Sequence, residues 1–321
     1  RMICVRSVDP GDYSIIVEAG CVLADVQRAA EQEGRLFPLS LGAEGTCQIG
    51  GNLATNAGGI NVLRYGTARQ QVLGLEVVLA DGTVLNGLRT VRKDTAGYDL
   101  KQLFLGSEGT LGIITAAALR LWPHPVNVAT MLAAVRTPQD AVELLGQLRG
   151  QFGDTVQAFE LISADCMTLV ARNVPDAAIS VDGDVPWYVL VDIEVRGGIE
   201  LLEEAMMAEL EGGRVHDVLV AKNAAEAEAF WRMRHSLSEA QNPEGAALKH
   251  DISVPTGRIA EFVDAAARLV AELSPGARIV AFGHVGDGNL HYDVLQPPGA
   301  DGADFLRDGE ALTGALYALA D

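Results

Sequence analysis

The sequence predicts an α+β protein built from two domains. Its 321 residues are enough for two domains of ordinary size. Short β-like runs and glycine-rich turns dominate as far as residue 122, whereas from residue 123 strands alternate with longer helices. The motif LWPHP at residues 121–125 separates the two patterns. We therefore expect one domain over residues 1–122 and a second over residues 123–321.

In the first domain, strand and helix signals follow one another closely. SIIVEA at residues 14–19 and LEVVL at residues 75–79 have the apolar, β-branched composition of strands. Asp81-Gly82 then gives a strong hairpin signal, with TVL at residues 83–85 as the return strand. Residues 22–33 show the apolar spacing of a short amphipathic helix.

The second domain is predicted to be a sheet with helices on one face. Thr137-Pro138 marks a helix start, because proline is tolerated at the first helical position. The alternation of strands and helices is typical of an α+β layer. Strands are expected at 128–135, 156–161, 187–195, 249–254 and 278–283, and helices at 137–149, 164–172, 199–210, 224–241, 257–273 and 303–320.

Composition limits the classes of partner. The formal net charge is -19, so the surface should repel nucleic acid and anionic lipid. The 4 cysteines form no CxxC pair, which is typical of reduced thiols in a cytoplasmic protein. No apolar run approaches the roughly 18 residues of a membrane span. We expect a cytoplasmic protein (mitochondrial in a eukaryote) that does not bind nucleic acid.

Two glycine-rich clusters distinguish the first domain. PLSLGAEGT at residues 38–46 leads into IGGNLATNAGG at residues 49–59, and GSEGTLGIIT occupies residues 106–115. Glycine lets backbone N–H groups approach a diphosphate, and the interleaved hydroxyl and amide groups suit ribityl hydroxyls or a flavin edge. Tight turns without a ligand are the alternative. The nicotinamide fingerprint GxGxxG is absent between a strand and a helix, which disfavours a nicotinamide-dependent dehydrogenase.

Two polar clusters distinguish the second domain. In GHVGDGNLH at residues 283–291, His284 and His291 flank a turn, where they could bind one metal ion or simply bond to backbone. Arg234 and Ser238 share a helix face by their spacing, and Lys249 opens the next strand. Guanidinium, hydroxyl and ammonium groups together make a carboxylate pocket, although a solvated face paired with glutamates is the alternative.

These motifs carry a resemblance to a known family. GGNLATNAGG, RYG at residues 64–66 and GYDLKQLFLGSEGTLGIIT at residues 97–115 resemble the FAD-binding domain of the vanillyl-alcohol-oxidase superfamily. Within it they are similar to the branch of D-lactate dehydrogenase, glycolate oxidase and D-2-hydroxyglutarate dehydrogenase. The resemblance implies FAD contacts from Pro38, Leu39, Gly42, Gly45, Thr46, Gly50, Gly51, Asn52, Thr55, Asn56, Glu108, Gly109, Gly112 and Ile114.

The same resemblance implies the architecture. Residues 1–122 would be the second subdomain of a PCMH-type FAD-binding domain, and residues 123–321 a ferredoxin-like α+β substrate (cap) domain. A glycine-rich pyrophosphate loop, in an N-terminal subdomain, is expected before residue 1. The catalytic histidine and a third metal ligand are expected beyond Asp321, so no catalytic residue is assigned within the chain.

The resemblance also implies roles for the polar clusters. His284 and His291 would ligate a divalent metal, zinc or manganese. The pattern RxxxS followed by KHDISVP is similar to the D-2-hydroxyglutarate dehydrogenase branch, in which Arg234, Ser238 (threonine in the family) and Lys249 would hold the distal carboxylate of the substrate.

Asp293 is a further substrate-binding candidate at a position where related enzymes often carry asparagine. The implied reaction is hydride transfer from a D-2-hydroxy acid, with D-2-hydroxyglutarate favoured, to FAD. A separate electron acceptor and a homodimer are also implied. Two alternatives stay open: oxidation of D-lactate or glycolate, and a non-catalytic flavoprotein-like subunit or inactive fragment.

Overall fold

The computed structural model describes residues 2–179 and 185–321. The chain forms two compact units, Arg1–Pro125 and Val126–Asp321, so the boundary lies at the end of the LWPHP motif. Among the described helices, none is both long and apolar enough to cross a membrane.

The first unit is built on a five-stranded antiparallel sheet in the order β1-β2-β6-β4-β5, and β3 pairs separately with β7. Short helices lie between the strands. Its elements are β1 (Val5–Asp9), β2 (Ser14–Glu18), α1 (Leu23–Gln32), β3 (Arg35–Leu36), α2 (Ile49–Ala54), α3 (Val62–Tyr65), β4 (Val72–Val78), β5 (Val84–Asn86), α4 (Lys101–Phe104), β6 (Ile113–Arg120) and β7 (Trp122–Pro123).

Local signals decide the elements of this unit. The predicted hairpin is confirmed: Asp81 Oδ1 accepts a hydrogen bond from Thr83 N at 2.9 Å, and Gly82 has a φ of 85°. The predicted helix is confirmed as α1, which buries Leu23 and Val26 on one face. The core consists of these side chains and the inward residues of β2, β4 and β6.

The second unit contains an eight-stranded antiparallel sheet. Its elements are β8 (Val128–Val135), α5 (Pro138–Phe152), β9 (Val156–Ser163), α6 (Ala164–Asn173), β10 (Trp187–Glu194), α7 (Glu200–Glu211), β11 (Val215–Val220), α8 (Ala224–His235), α9 (Leu237–Ala240), β12 (Ala247–Leu248), β13 (Asp251–Ser253), α10 (Ile259–Leu273), β14 (Arg278–His284), β15 (Asn289–Leu295), α11 (Gly302–Asp308) and α12 (Glu310–Ala320).

The strand order is β11-β8-β10-β9-β14-β15-β12, and β13 pairs with the start of β15. Strands β8, β9, β10 and β11, with α5 and α7, follow the split β-α-β pattern of a ferredoxin-like fold. The fourth of these strands lies beside the first, and the third lies between the first and the second. The β14–β15 hairpin extends this sheet.

Helices cover both faces of the sheet, so the prediction of helices on one face was wrong. On one face, Ile162 and Phe282 pack in a cluster with residues of α6, α8 and α9. On the opposite face, Tyr292 packs against Phe262 of α10, with ring centroids 5.6 Å apart. All the residues of β9 are buried. A strand that is apolar on both sides needs cover on both sides.

Several element predictions also need correction. The predicted helix 303–320 divides at Gly309 into α11 and α12. The predicted helix 224–241 is interrupted at Ser236 and divides into α8 and α9. The predicted strand 249–254 is limited to β13, which begins after Lys249 and His250. Strand β11 was missed, because only Val215 of its residues is fully buried and the apolar pattern is weak there.

Candidate functional site

The two glycine-rich clusters of the first unit meet through backbone hydrogen bonds. Gly106 N donates to Leu53 O at 3.1 Å, and Glu108 N donates to Ala54 O at 2.9 Å. These bonds join the last turn of α2 to the loop that precedes β6. The two segments therefore form one continuous surface, which we call the glycine surface (residues 42–56 and 106–114).

Asn56 and Arg69 hold this surface together. Asn56 has a φ of 50°, and its Oδ1 accepts hydrogen bonds from Arg69 N at 3.0 Å and Thr67 Oγ1 at 2.9 Å. The Arg69 guanidinium donates to Leu105 O at 2.5 Å. Asn56, a predicted cofactor contact, thus shapes the loop with its side-chain oxygen. Arg69 was missed, since an arginine outside both clusters gives no local signal of this role.

Some glycines of the clusters are required by packing. A Cβ at Gly50 would lie 2.8 Å from Ala19 Cβ, and a Cβ at Gly112 would lie 2.7 Å from Val77 Cγ1. The N–H of Gly50 is also occupied, because it donates to Ala19 O at 2.7 Å. For these two predicted cofactor contacts, the glycine is explained by the protein's own packing.

Other glycines face open space. Within the described part of the chain, no atom lies within 4 Å of an added Cβ at Gly42, Gly45 or Gly51, and each of the three is exposed. Packing does not explain the missing side chain at these positions. A backbone that is open on one side is what the approach of a diphosphate or a sugar requires.

Polar side chains border these open glycines. Thr46 and Thr55 are exposed, and their hydroxyls donate to Ala43 O at 3.2 Å and Gly51 O at 3.0 Å. Both hydroxyl oxygens can still accept a hydrogen bond from a ligand. Asn52 is buried, and its side-chain N–H donates to the Cys47 sulfur at 3.4 Å.

The remaining predicted cofactor contacts differ in exposure. Leu39 and Ile114 are buried in the core of the unit, and Pro38, which precedes Leu39 in the chain, is also buried. Glu108 and Gly109 are exposed and have φ values of 52° and 77°, so together they make a sharp turn. The glycine surface as a whole fits FAD, since open backbone and hydroxyl oxygens lie over an apolar support.

In the second unit, a buried carboxylate joins two of the predicted site residues. Glu160 lies in β9 and is completely buried. Its Oε2 accepts hydrogen bonds from Nε and Nη2 of Arg234 at 2.9 Å and 2.7 Å, and its Oε1 lies 2.5 Å from Nδ1 of His284. Burial alone would raise the pKa of Glu160, but the charges of Arg234 and His284 hold it at about 2.

Glu160 was missed at the sequence level, although a signal exists. In β9 it is a single carboxylate within an otherwise neutral run, VQAFELIS. A charge in such a strand is tolerated only with a buried partner, so Glu160 implies a cation on a neighbouring element.

The two histidines lie on the same face of the sheet as Glu160. His284 pairs directly opposite Glu160, and His291 pairs opposite Phe282. Their ring centroids are 5.9 Å apart. Burial lowers the pKa of His291, and the positive charge of Arg234 lowers it further. Burial also acts to lower the pKa of His284, but the charge and hydrogen bond of Glu160 outweigh it and raise this pKa.

The histidines do not by themselves form a metal site. Among the described residues, no group of three or more His, Cys, Asp or Glu side chains is arranged to hold a metal ion. Protein zinc sites use three or four ligands, whereas His284 and His291 supply two nitrogens. The carboxylate nearest to His284, Glu160, is already bonded to Arg234 and His284.

Helix α8 holds Arg234 against this face. The Arg234 guanidinium lies over the Phe282 ring, with its carbon 4.7 Å from the centroid. One turn earlier, Trp231 Nε1 donates to Asp192 Oδ2 at 2.9 Å, and Thr130 Oγ1 donates to Asp192 Oδ1 at 2.6 Å. Burial raises the pKa of Asp192. These contacts attach the helix to β8 and β10.

Of the other predicted substrate residues, Asp293 is as buried as Arg234, whereas Ser238 and Lys249 are exposed. Asp293 is buried in β15, and its Oδ2 accepts a hydrogen bond from Gln241 Nε2 at 2.9 Å. Burial raises the pKa of Asp293, and the charge of Lys249 opposes this. Lys249 is exposed, as is Ser238 on α9 beyond the interruption of the helix. The structure thus groups Arg234 and Asp293 with the histidines and leaves Lys249 at their margin.

Two protein families match the chain. "FAD linked oxidases, C-terminal domain" matches residues 124–306, and "FAD binding domain" matches residues 1–87. The D-2-hydroxyglutarate dehydrogenase (mitochondrial) of Rattus norvegicus is 41% identical over 286 residues, which are 87% of this chain and 52% of the relative. The D-2-hydroxyglutarate dehydrogenase of Xanthomonas citri pv. viticola is 36% identical over 312 residues, or 95% of this chain and 64% of the relative.

Solved structures show the same fold. An alkyldihydroxyacetonephosphate synthase superposes with a TM-score of 0.71 at 18% identity, covering 99% of this chain and 62% of the other. A p-cresol methylhydroxylase with substrate bound superposes with a TM-score of 0.70 at 16% identity, covering 99% of this chain and 68% of the other. The chain spans about half the length of the mitochondrial relatives that it matches.

Proposed function

Because the chain belongs to the FAD-linked oxidase family, we propose that it oxidises a D-2-hydroxy acid, D-2-hydroxyglutarate in preference, to the 2-oxo acid. The observation that carries the proposal is Arg234, a buried guanidinium beside two histidines on one sheet face. The names of the relatives, D-2-hydroxyglutarate dehydrogenases, support the same substrate.

The first unit is proposed to hold the cofactor on the glycine surface. Gly42, Gly45 and Gly51 would receive the diphosphate and ribityl part on their open backbone, and Thr46 and Thr55 would accept hydrogen bonds from it. When bound, FAD supplies the acceptor for the hydride that leaves the Cα of the substrate, at flavin N5.

The second unit is proposed to bind and orient the acid. Glu160 occupies the Nε–Nη2 edge of Arg234, so the Nη1 side of the guanidinium is the part that would bind a substrate carboxylate. Lys249 would add a second positive charge for the distal carboxylate. Anchoring the distal carboxylate helps to fix the orientation of the hydrogen that is transferred. A cationic cluster of this kind lets a protein of net charge -19 bind a dianion.

The proposed function also includes a metal ion and protein partners. A divalent ion, zinc or manganese, would take His284 and His291 as its donors from this chain, with its other positions filled by groups outside the described residues. A separate electron acceptor would reoxidise the flavin, and the protein would act as a homodimer. Its compartment would be the cytoplasm, or the mitochondrion in a eukaryote, as in the relatives named mitochondrial.

Lys249 distinguishes the proposed substrate from D-lactate, which has no distal carboxylate. In Lys249→Ala, kcat/KM for D-2-hydroxyglutarate should fall about 10–100-fold, the worth of a charged hydrogen bond, whereas kcat/KM for D-lactate should change little. Steady-state assays with an artificial electron acceptor measure both. Lys222→Ala, which removes an exposed lysine elsewhere in the unit, is the control. Equal losses on both acids in Lys249→Ala would contradict the assignment of D-2-hydroxyglutarate.

A further inference from the structure

We infer that Glu160 is a positioning residue that fixes the tautomer of His284 and the orientation of Arg234 at the same time. Its two carboxylate oxygens are divided between these partners: Oε2 bonds to Arg234, and Oε1 bonds to His284. The meaning of this for catalysis rests on the proposed function, but the positioning itself does not.

The tautomer follows from what a carboxylate can do. An ionised carboxylate only accepts hydrogen bonds, so His284 must carry a proton on Nδ1 to bond to Glu160 Oε1 at 2.5 Å. In the neutral imidazole the lone pair then lies on Nε2. Nε2 is therefore the nitrogen that can accept a proton or bind a cation at the site. A carboxylate behind a histidine commonly has this orienting role.

The guanidinium is fixed from two directions. Glu160 Oε2 receives both Nε and Nη2 of Arg234, which sets the plane of the group, and the Phe282 ring supports that plane at 4.7 Å. His291 packs on the same ring, with centroids 4.9 Å apart. The edge of Arg234 that would meet a carboxylate is thus placed relative to both histidines by one fully buried side chain.

The register of the sheet makes this arrangement rigid. Glu160 and His284 are direct partners across β9 and β14, and both strands lie inside the sheet rather than at its edge. Paired side chains on one face of antiparallel strands are close neighbours. If Glu160 were only a counterion for Arg234, neither this strand register nor the contact between Glu160 Oε1 and His284 would be needed.

Glu160→Gln tests the inference, because glutamine has nearly the same shape but carries one acceptor and one donor. The amide oxygen of the glutamine should face Arg234, which only donates, so the amide NH2 group should face His284 Nδ1. Neutral His284 must then move its proton to Nε2. Protein labelled with ¹⁵N-histidine and studied by NMR at alkaline pH reports this directly, because the two ring nitrogens have different shifts when protonated. A His284→Gln variant assigns the signals.

Asp192→Asn is the matched control. Asp192 is also a carboxylate on this sheet, and it bonds to Thr130 and Trp231 rather than to Arg234 or His284. Both variants should lose stability, but only Glu160→Gln should invert the His284 tautomer. Glu160→Gln should in addition weaken glutarate binding, by about tenfold in calorimetry. An unchanged tautomer in Glu160→Gln, or inversion in both variants, would overturn the inference. Inversion in a protein that oxidises no hydroxy acid would uphold it and reject the proposed function.

Discussion

Gly51 lies within α2, is exposed, and has no described atom within 4 Å of an added Cβ. Alanine there should leave the unbound protein unchanged or more stable, by up to about 1 kcal/mol, because alanine suits a helix better than glycine. The new methyl group should nonetheless weaken FAD binding at least about tenfold, since it occupies the space of the ligand. Flavin fluorescence titration and urea denaturation measure the two effects.

Gly112→Ala is the matched control for Gly51→Ala. Its Cβ would meet Val77 Cγ1 at 2.7 Å, so overpacking should cost about 1–3 kcal/mol of unfolding free energy. If Gly51→Ala bound FAD as tightly as the unaltered protein, the glycine surface would not be the cofactor site.

Glu160 makes the stability of the protein depend on pH in a defined window. Its pKa is lowered from 4.5 to about 2 in the folded protein, so its ionised form stabilises the fold above pH 4.5. That contribution, on the order of 3 kcal/mol, should be lost as the pH falls from 4.5 towards 2. Urea denaturation should therefore show that the difference in unfolding free energy between the unaltered protein and Glu160→Gln becomes smaller at acid pH. A difference in unfolding free energy that stays constant below pH 4.5 would contradict this pH dependence.

For single residues, the sequence indicates which residues are notable better than it indicates what each of them does. The glycines and Arg234 could be selected because clusters and spacing are visible in one dimension. Glu160 stands out only as a lone carboxylate in a neutral strand, and its partners could not be identified, because they lie 74 and 124 positions away and only the fold brings them together. The packing role of Gly50 and Gly112 was hidden for the same reason.

At the scale of elements, α8 matters because it carries Arg234. Trp231→Phe removes the hydrogen bond to Asp192, which should cost about 1–3 kcal/mol because Asp192 is buried. Because this bond holds α8 in place, its loss should also raise KM for D-2-hydroxyglutarate more than it lowers kcat. Denaturation and steady-state kinetics measure the two effects.

Trp122→Phe offers a control for Trp231→Phe. It removes an indole hydrogen bond of the same length, 2.9 Å, to Gln71 in the first unit. It should lower stability without changing KM. An equal rise of KM in both variants would mean that α8 has no special part in holding the acid.

Elements with strong local signals were predicted well. Helix α5 begins where Thr137-Pro138 indicated, and Thr137 forms a reciprocal capping box with Asp140. Strand β11 and the interruption at Ser236 were not predicted, because an edge strand and a helix break depend on neighbours more than on local pattern. Apolar residues on both faces of β8 and β9 do indicate that helices cover the sheet on both sides.

At the scale of the molecule, the two units are proposed to bind different ligands. FAD should slow amide hydrogen exchange in residues 42–56 and 106–114, whereas glutarate, a dicarboxylate that lacks the hydroxyl, should slow exchange in α8, β14 and β15. A bound ligand slows exchange only in those segments that it keeps from opening. Mass spectrometry of exchanged peptides measures both. FAD protection confined to the second unit would contradict the assignment.

Anaerobic reduction of the flavin tests most directly the proposed transfer of a hydride from D-2-hydroxyglutarate to bound FAD. The full-length protein is loaded with FAD, oxygen is removed, and D-2-hydroxyglutarate and D-lactate are added separately while the absorbance at about 450 nm is followed. We expect rapid bleaching by D-2-hydroxyglutarate and slow or absent bleaching by D-lactate. Bound FAD that neither acid bleaches would contradict it and favour a non-catalytic flavoprotein.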